Sequence, residues 1–144
     1  MGFLSGMDII ASGLTAQRLR MDVISDNIAN VDTTRTEDGT PYTRKYVVLE
    51  ERANNFSDIM QGSSETATGG VRVSEIGEDS SDYQLVYDPT NPDANEDGYV
   101  EYPNVDTTQE MVDMISAYRS YEANVTAFSA YKDMAIKTLE IGAN

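Results

Sequence analysis

The sequence predicts a mainly α-helical protein with a small β-containing middle segment, in which long N- and C-terminal helices pair as an antiparallel coiled coil. Both ends of the chain carry apolar residues in steps of three and four, the spacing of a helical seam. Between the ends, short β-branched and aromatic runs alternate with turn-forming residues. We therefore divide the chain into an N-terminal helical segment (1–30), an acidic β-containing middle segment (31–106) and a C-terminal helical segment (107–144).

The N-terminal seam predicts a helix over about residues 5–29. Ser5, followed three residues later by Asp8, has the spacing of a capping box. Asn30 is the expected helix end, because asparagine tolerates the left-handed conformation found there. Gln17 is the one polar position of this seam. The seam consists of Phe3, Met7, Ile10, Leu14, Gln17, Met21, Ile24, Ile28 and Val31.

The C-terminal seam predicts a second helix, over about residues 108–140. Thr107 and Glu110 form another candidate capping box, and Gly142 is the expected end. Lys132 alone interrupts the apolar pattern. The seam consists of Met111, Met114, Tyr118, Tyr121, Val125, Phe128, Lys132, Ala135 and Leu139.

Short strands are predicted in the middle segment. Tyr42–Glu50 is rich in β-branched and aromatic residues, and Val71 and Val73 alternate with polar neighbours. A third candidate alternates through Tyr83, Leu85 and Tyr87. Loops are predicted where turn-forming residues dominate, at residues 31–41, 53–69 and 88–98.

The charge of the chain excludes several classes of partner. The chain has 25 acidic and 10 basic residues, a formal net charge of −15, which repels nucleic acids and anionic membrane surfaces. The charge is −1 over residues 1–30, −11 over residues 31–105 and −3 over residues 106–144. The ends can therefore approach other molecules closely, whereas the middle is expected to face solvent or the outside of an assembly.

The composition offers no basis for catalysis or for a cofactor. The chain has no cysteine and no histidine, so disulfides, thiolate metal sites and the commonest general base are excluded. The many carboxylate pairs are expected to form solvated faces. We predict a protein that is not an enzyme and that binds no cofactor.

One loop partly matches a calcium-binding motif. Asp93, Asn95, Asp97 and Gly98 reproduce the first half of that loop, but its twelfth position is Asn104 in place of the bidentate glutamate. An acidic turn is therefore the favoured interpretation, and no metal site is predicted. A calcium-dependent binding module remains an alternative that calcium titration would test.

The two seams allow two arrangements that composition does not separate. They can form a helical hairpin within one molecule, or they can pack between molecules. A free-standing adaptor that dimerises as a coiled coil is a further alternative, and sedimentation would reveal it as a stable dimer.

Four blocks of the chain resemble a known family. SGLTAQRLRMDVISDNIANVDT (Ser12–Thr33) is similar to the N-terminal signature of the flagellar basal-body rod and hook proteins. EMVDMISAYRSYEANVTAFSAYKDMAIKTLEIG (Glu110–Gly142) is similar to their C-terminal segment. Tyr42–Glu50 and Asp88–Val105 resemble the proximal rod members in particular, whereas residues 57–82 match nothing diagnostic.

The resemblance implies a structural subunit of the bacterial flagellar proximal rod. Family members leave the cytoplasm unfolded through the flagellar type III export apparatus, without a cleaved signal peptide. Their terminal helices, often disordered in the monomer, pack into the inner tube of a helical assembly. The implied partners are other copies, other rod proteins, the flagellar base on the MS-ring side and the export apparatus, with no nucleic acid and no membrane insertion.

From the seams we predict which residues form the assembly interface. Arg18, Arg20 and Arg119 are expected to meet carboxylates on adjacent subunits, while Asn27 and Asn30 set the register. Ile24→Asp is expected to block assembly. Leu14, Met21, Ile24 and Ile28 are expected to face Met111, Tyr118, Val125 and Leu139. The full predicted interface is Leu14, Arg18, Met21, Ile24, Asn27, Ile28, Asn30, Met111, Met114, Tyr118, Arg119, Tyr121, Asn124, Val125 and Leu139.

Overall fold

Two long helices bracket two β-hairpins in the computed structural model, which describes residues 3–52 and 69–142. The prediction of two terminal helices with a small β-containing middle is confirmed. Of the loop predicted at 53–69, residues 53–68 lie outside the described residues, as do residues 57–68 of the segment without family resemblance. In chain order, the elements are α1 (Phe3–Ala29), β1 (Lys45–Glu51), β2 (Val71–Glu78), β3 (Gln84–Tyr87), β4 (Tyr99–Tyr102) and α2 (Thr107–Gly142).

Helix α1 begins earlier than predicted and ends where expected. Because its first described residue is Phe3, Ser5 lies inside the helix, and the capping box predicted there is wrong. At the other end, the Asn30 backbone N–H donates to the Asp26 carbonyl at 3.1 Å, and its Nδ2 donates to the same oxygen at 2.8 Å. Asn30 thus satisfies a carbonyl that the end of the helix leaves open.

Asp106 caps the beginning of α2, and the predicted box of Thr107 and Glu110 is wrong. Asp106 Oδ1 accepts hydrogen bonds from the backbone N–H of Thr108 at 2.8 Å and of Gln109 at 3.3 Å. Glu110 is free to turn inward, where it is fully buried. Helix α2 is described to Gly142, and the helix end predicted there stays a prediction, because residues 143–144 lie outside the described residues.

The two helices lie side by side and touch at intervals of about seven residues. The Tyr131 ring packs against Gly6, where an added Cβ would lie 2.6 Å from the ring, and Asn124 packs against Gly13 at 3.1 Å. Two polar contacts continue the series, from Arg20 to Asp113 and from Asn27 to Glu110. Residue numbers fall along α2 as they rise along α1.

Several residues predicted to join the helices lie one position away from those that do. Met111, Tyr118, Val125 and Leu139, which were expected to face α1, are exposed, so that expectation is wrong. The inner face of α2 instead includes small or polar residues, which a search for apolar side chains passes over. These inner residues are Glu110, Met114, Ala117, Tyr121, Asn124, Phe128 and Tyr131.

The hairpin β1–β2 lies along α1. At one end of the hairpin, Asn27 bonds to the backbone of Lys45. At the other end, the Val71 N–H donates to Ser12 Oγ at 3.0 Å. The helix from Ser12 to Asn27 rises about 22 Å, and a seven-residue strand spans about 23 Å, so the two elements match in length. A bulge at Ser74 interrupts the antiparallel register.

The hairpin β3–β4 contains the one strand that the sequence analysis missed. Tyr99–Tyr102 pairs antiparallel with Gln84–Tyr87, and the predicted loop at 88–98 is their connection. The missed signal is Gly98, whose φ of +80° lets the chain turn back directly before an alternating run. Val100 of this run is buried.

The hydrophobic core of the described residues is small. Its buried apolar side chains are Ala16, Val23, Ile24, Val100, Val105 and Ala117. Across the described residues, neither helix is long and apolar enough to cross a membrane.

Candidate assembly interface

A buried polar cluster joins both helices to the first hairpin. Asn27 of α1 and Glu110 of α2 are completely buried, and Tyr42 and Arg44 reach them from the segment leading into β1. We call these four residues the polar clasp. Buried polar groups destabilise a fold unless they are hydrogen-bonded, so their pairing decides whether the clasp holds.

Every hydrogen-bonding group of the Asn27 amide is used. Its Nδ2 donates to the Lys45 carbonyl at 2.8 Å and to Glu110 Oε2 at 3.0 Å. Its Oδ1 accepts from the Lys45 backbone N–H at 2.9 Å and from the Tyr42 hydroxyl at 3.0 Å. The amide thus pairs with Lys45 as the backbone of a neighbouring strand would, and holds the beginning of β1 against α1.

Glu110 carries the buried charge of the clasp, and Arg44 balances it. Arg44 Nε donates to Glu110 Oε1 at 2.7 Å, and its Nη1 lies 3.5 Å from Asp79 Oδ2. Burial acts to lower the pKa of Arg44, but the hydrogen bond and the charge of Glu110, aided by Asp79, raise it overall. The guanidinium therefore stays charged, and the buried carboxylate keeps its counter-ion.

Tyr42 of the clasp and Asp79, which lies beside Arg44, also have shifted pKa values. Burial, followed by the negative charges of Asp26 and Glu110, raises the pKa of the Tyr42 hydroxyl above its ordinary value. Hydrogen bonds from the backbone and hydroxyl of Ser81 are the main causes that lower the pKa of Asp79. Tyr42 is held as a neutral donor, and Asp79 is held as a charged acceptor.

Asn104 fastens the segment before α2 to the same cluster. Its Oδ1 accepts from the Arg44 backbone N–H at 2.8 Å, and its Nδ2 donates to the carbonyls of Asp79 at 3.0 Å and Ser81 at 3.1 Å. This residue stands where a calcium loop would have its bidentate glutamate. Its amide is occupied by structural hydrogen bonds.

The loop that resembles a calcium site bonds to its own backbone. Asn95 Oδ1 accepts from the N–H groups of Asp97 and Tyr99, and Asp93 accepts from Thr34 and Arg35. Within residues 3–52 and 69–142, no three acidic side chains gather as metal ligands. The geometry is that of an Asx-stabilised turn.

A second apolar face of α2 is open to solvent. Successive helical residues are about 100° apart, so Tyr118 points away from the direction of its buried neighbour Ala117. Because Gly6 lies against Tyr131, about the last two turns of α2 extend past Phe3, and Leu139 there is 73% exposed. We call this face the outer stripe. It consists of Met111, Ile115, Tyr118, Val125 and Ile136.

The predicted interface residues of α1 divide between the core and the surface. Ile24 and Asn27 are buried within the chain, and Arg18 is exposed. Leu14, Met21, Ile28 and Asn30 are half-buried. Arg20 bonds to Asp113 of its own chain at 3.1 Å, so the expected carboxylate of an adjacent subunit is not needed to explain this arginine.

On α2, the predicted set is split between two faces. Met114, Tyr121 and Asn124 are half-buried on the side of α1. Met111, Tyr118 and Val125 are brought together on the outer stripe, whereas Leu139 points in the direction of Tyr121 and is exposed where α2 extends past Phe3. Arg119 is bonded to Glu122 on the same helix at 3.0 Å, where both side chains are largely exposed.

Sequence reasoning missed most of the polar clasp. Glu110 was assigned to a cap, and neither Arg44 nor Tyr42 was singled out. A usable signal was present, because Asn27 and Glu110 are polar residues next to apolar seams, and a polar residue there needs a partner. Nothing in the sequence alone identifies Glu110 as the partner of Asn27, because the two residues are 83 positions apart.

Two family models match the chain at its two ends. Residues 7–35 match the family described as "Flagella basal body rod protein". Residues 96–141 match the family described as "Flagellar basal body rod FlgEFG protein C-terminal". The matched ranges contain both helical members of the polar clasp and all of the outer stripe.

Three relatives are similar over nearly their whole length, and each is named flagellar basal-body rod protein FlgC. The protein from Bacillus subtilis strain 168 is 54% identical over 94% of this chain and 95% of its own. The protein from Borreliella burgdorferi is 47% identical over 98% of both chains. The protein from Aquifex aeolicus is 44% identical over 97% of both chains.

Proposed function

The chain belongs to the FlgC family of flagellar basal-body rod proteins, and from this membership we propose how its helices build the rod. The protein is a structural rod subunit of the flagellar basal body. In each subunit, α1 and α2 pair as an antiparallel coiled coil. Their outer faces bind neighbouring subunits, and the copies polymerise into the helical tube of the proximal rod, which acts as a drive shaft.

The observation that carries this proposal is the exposed apolar face of α2. The inner face, which mixes small, polar and aromatic residues, packs against α1 within the chain, and the outer stripe is left without a covering element in the described residues. An exposed apolar stripe on a helix whose other side is already packed is typical of a surface that is buried in an assembly. The outer stripe is therefore the proposed contact with the next subunit.

The charge distribution supports the same arrangement. The terminal segments carry net charges of −1 and −3, whereas residues 31–105 carry −11. Helices with so little net charge can approach those of other copies, while the acidic hairpins repel one another and stay outside the tube. Because the outer stripe meets a different surface on the next copy, the contact does not close on itself, and a helical polymer results.

The polar clasp has a separate role in this proposal. It joins the first hairpin to both helices at one end of the helix pair, and so fixes the orientation of the middle segment relative to the tube. Buried polar pairs are well suited to specifying register, since any displaced arrangement leaves their groups unpaired. Asn27, predicted from the sequence to set register, is assigned that role within the subunit.

The proposed partners follow from this role. They are other copies of the chain, other flagellar rod proteins, the flagellar base on the MS-ring side and the export apparatus. We expect export from the cytoplasm without a cleaved signal peptide into a rod that spans the periplasm. We expect no catalytic activity, no cofactor and no metal requirement.

A pair of substitutions on α2 tests the proposal. Tyr118→Asp places a charge in the outer stripe, whereas Ala123→Asp places the same charge on another exposed face of the helix. We expect Tyr118→Asp to abolish rods in electron micrographs of basal bodies and to leave the circular dichroism of the purified chain unchanged. Ala123→Asp is the control for charge alone.

Tyr118→Asp is a better test of the interface than Ile24→Asp, the substitution that the sequence suggested. Ile24 is 5% exposed in the core of the chain, so Ile24→Asp would unfold the subunit and would not isolate the interface. Normal rods from Tyr118→Asp would show that the outer stripe is not an interface.

A further inference from the structure

The hairpin β3–β4 has one face that no described element covers. In its register, Leu85 pairs with Glu101 and Tyr87 pairs with Tyr99 on this face, which we call the hairpin face. Leu85 is 63% exposed and Tyr87 is 64% exposed. On the opposite face Val100 of β4 is buried, whereas its partner Val86 is 43% exposed, so the hairpin packs through β4 and leaves the hairpin face to solvent.

The aromatic part of the hairpin face is held in place. The rings of Tyr87 and Tyr99 meet edge to face with centroids 5.2 Å apart. A Cβ at Gly98 would lie 3.0 Å from Tyr87 Cε2, so the tyrosine ring rests directly on the glycine. Exposed tyrosines that are already ordered bind partners at little cost in conformational entropy, and tyrosine is enriched at interface hot spots.

An acidic cleft of about 460 Å³ adjoins the hairpin face and shares Tyr99 and Glu101 with it. Arg35 also lines the cleft, but it is already paired with Asp93 at 3.4 Å. The carboxylate of Glu101 and the π-face of Tyr99 are both attractive to a cation. The cleft therefore suits the end of an arginine or lysine side chain.

We propose that the hairpin face and its cleft dock a different protein, which presents an arginine or lysine flanked by apolar side chains. The apolar neighbours would cover Leu85 and Tyr87, and the cation would enter the cleft beside Glu101. The middle segment of a second copy is a poor occupant, because it would bring a charge of −11 against another of −11. The inference does not rest on how α1 and α2 assemble.

Photo-crosslinking in assembled basal bodies tests this proposal. The crosslinking amino acid p-benzoylphenylalanine replaces Leu85 and, in a matched control, Ile76, an exposed residue of the other hairpin. After irradiation, the adducts are digested and the attached peptide is sequenced by mass spectrometry. From position 85 we expect a peptide of a different protein, with arginine or lysine within a few residues of the attachment point.

Two charge-reversal variants then distinguish the contribution of the cleft to this crosslink from that of the overall negative charge of the chain. We expect Glu101→Arg to reduce the yield from position 85 about tenfold. Glu75→Arg makes the same charge change at an exposed position of β2 and is expected to leave the yield unchanged. Thermal unfolding of both variants controls for folding.

Each other result would overturn the proposal. An adduct to a second copy of this chain, an adduct to a peptide without a basic residue, or no adduct from position 85 would do so. Equal losses from Glu101→Arg and Glu75→Arg would show that the contact is not made through the cleft. Rods that form normally in these variants, but without the adduct, would leave the proposed role of the helices intact.

Discussion

Asn27 and Glu110 meet across the two helices, with 3.0 Å between Asn27 Nδ2 and Glu110 Oε2 and neither side chain exposed to solvent. This contact lies at the end of the series that begins with Gly6 and Tyr131. It also joins the helices to Arg44 and so to the first hairpin. One hydrogen-bonded cluster therefore sets both the helix register and the position of the hairpin.

Removing the buried carboxylate should destabilise the chain strongly. Glu110→Ala leaves the Arg44 guanidinium and one Asn27 N–H without their acceptor, and we expect a loss of about 3 kcal/mol in the free energy of unfolding. Urea unfolding of the purified chain measures this. The control is Glu122→Ala, which removes an exposed ion pair with Arg119 and should cost less than about 0.5 kcal/mol. Equal losses of unfolding free energy in the two variants would show that the polar clasp does not stabilise the chain more than an exposed ion pair does.

The close approach of the helices depends on Gly13. A Cβ there would lie 3.1 Å from Asn124 Nδ2, so Gly13→Ala needs only a small shift of a side-chain end and gains helix propensity. Gly13→Leu has no such space, and we expect it to cost about 2 kcal/mol by forcing the helices apart. Thermal unfolding compares the two variants. A leucine variant as stable as the alanine variant would mean that the helices are not in close contact here.

How much of this arrangement the sequence predicts depends on the kind of contact. The helices and three of the four described strands follow from apolar spacing and β-branched runs, because those patterns report local structure directly. The predicted seams include inner residues such as Ile24 and Tyr121, but at other positions they select the neighbour of the residue that makes the contact, as with Tyr118 beside Ala117. Where the inner face of a helix includes small or polar residues and the outer face is apolar, a search for apolar residues at helical spacing selects the outer face.

The candidate site shows the same division. Of the apolar residues predicted for assembly on α2, Met111, Tyr118 and Val125 gather on one surface, because residues spaced by three and four lie on one side of a single helix. The polar clasp depends on Arg44 reaching Glu110 over 66 positions of chain, and local patterns carry no information about such a contact. Strand β4 is as long as β3 but was missed because it directly follows the turn-forming residues 88–98.

Gln17 offers a route to a more stable chain. Among the described residues, its Oε1 is buried without a hydrogen-bond partner. Gln17→Met keeps the shape of the side chain and removes the unpaired oxygen, so we expect about 1 kcal/mol of added stability in the isolated chain. Gln84→Met, at an exposed strand position, should change little. A loss of stability from Gln17→Met would show that the oxygen has a bonding partner.

The raised pKa of Tyr42 predicts a loss of stability at alkaline pH. In the unfolded chain the hydroxyl has its ordinary pKa of 10.0, whereas in the folded chain burial and then the charge of Asp26 raise this pKa. Its contribution is therefore complete below pH 10 and declines as the pH rises through the folded pKa. Tyr42→Phe removes this contribution.

Unfolding of the wild type and Tyr42→Phe between pH 8 and pH 12 measures the effect of Tyr42. Because the other tyrosines are common to both proteins, the difference in unfolding free energy isolates this residue. It should be constant at the lower pH values and shrink above pH 10. A difference that stays constant over the whole range would contradict the assigned environment of Tyr42.

The most direct test of the account is the accessibility of the outer stripe before and after assembly. Because the chain has no native cysteine, Tyr118→Cys and Ile76→Cys each provide a single thiol for maleimide labelling. We predict that Cys at position 118 reacts readily in the monomer and is protected in isolated rods, while the thiol at position 76 serves as the reference on the middle segment. Equal labelling of position 118 in monomers and rods would contradict the claim that this face joins the subunits.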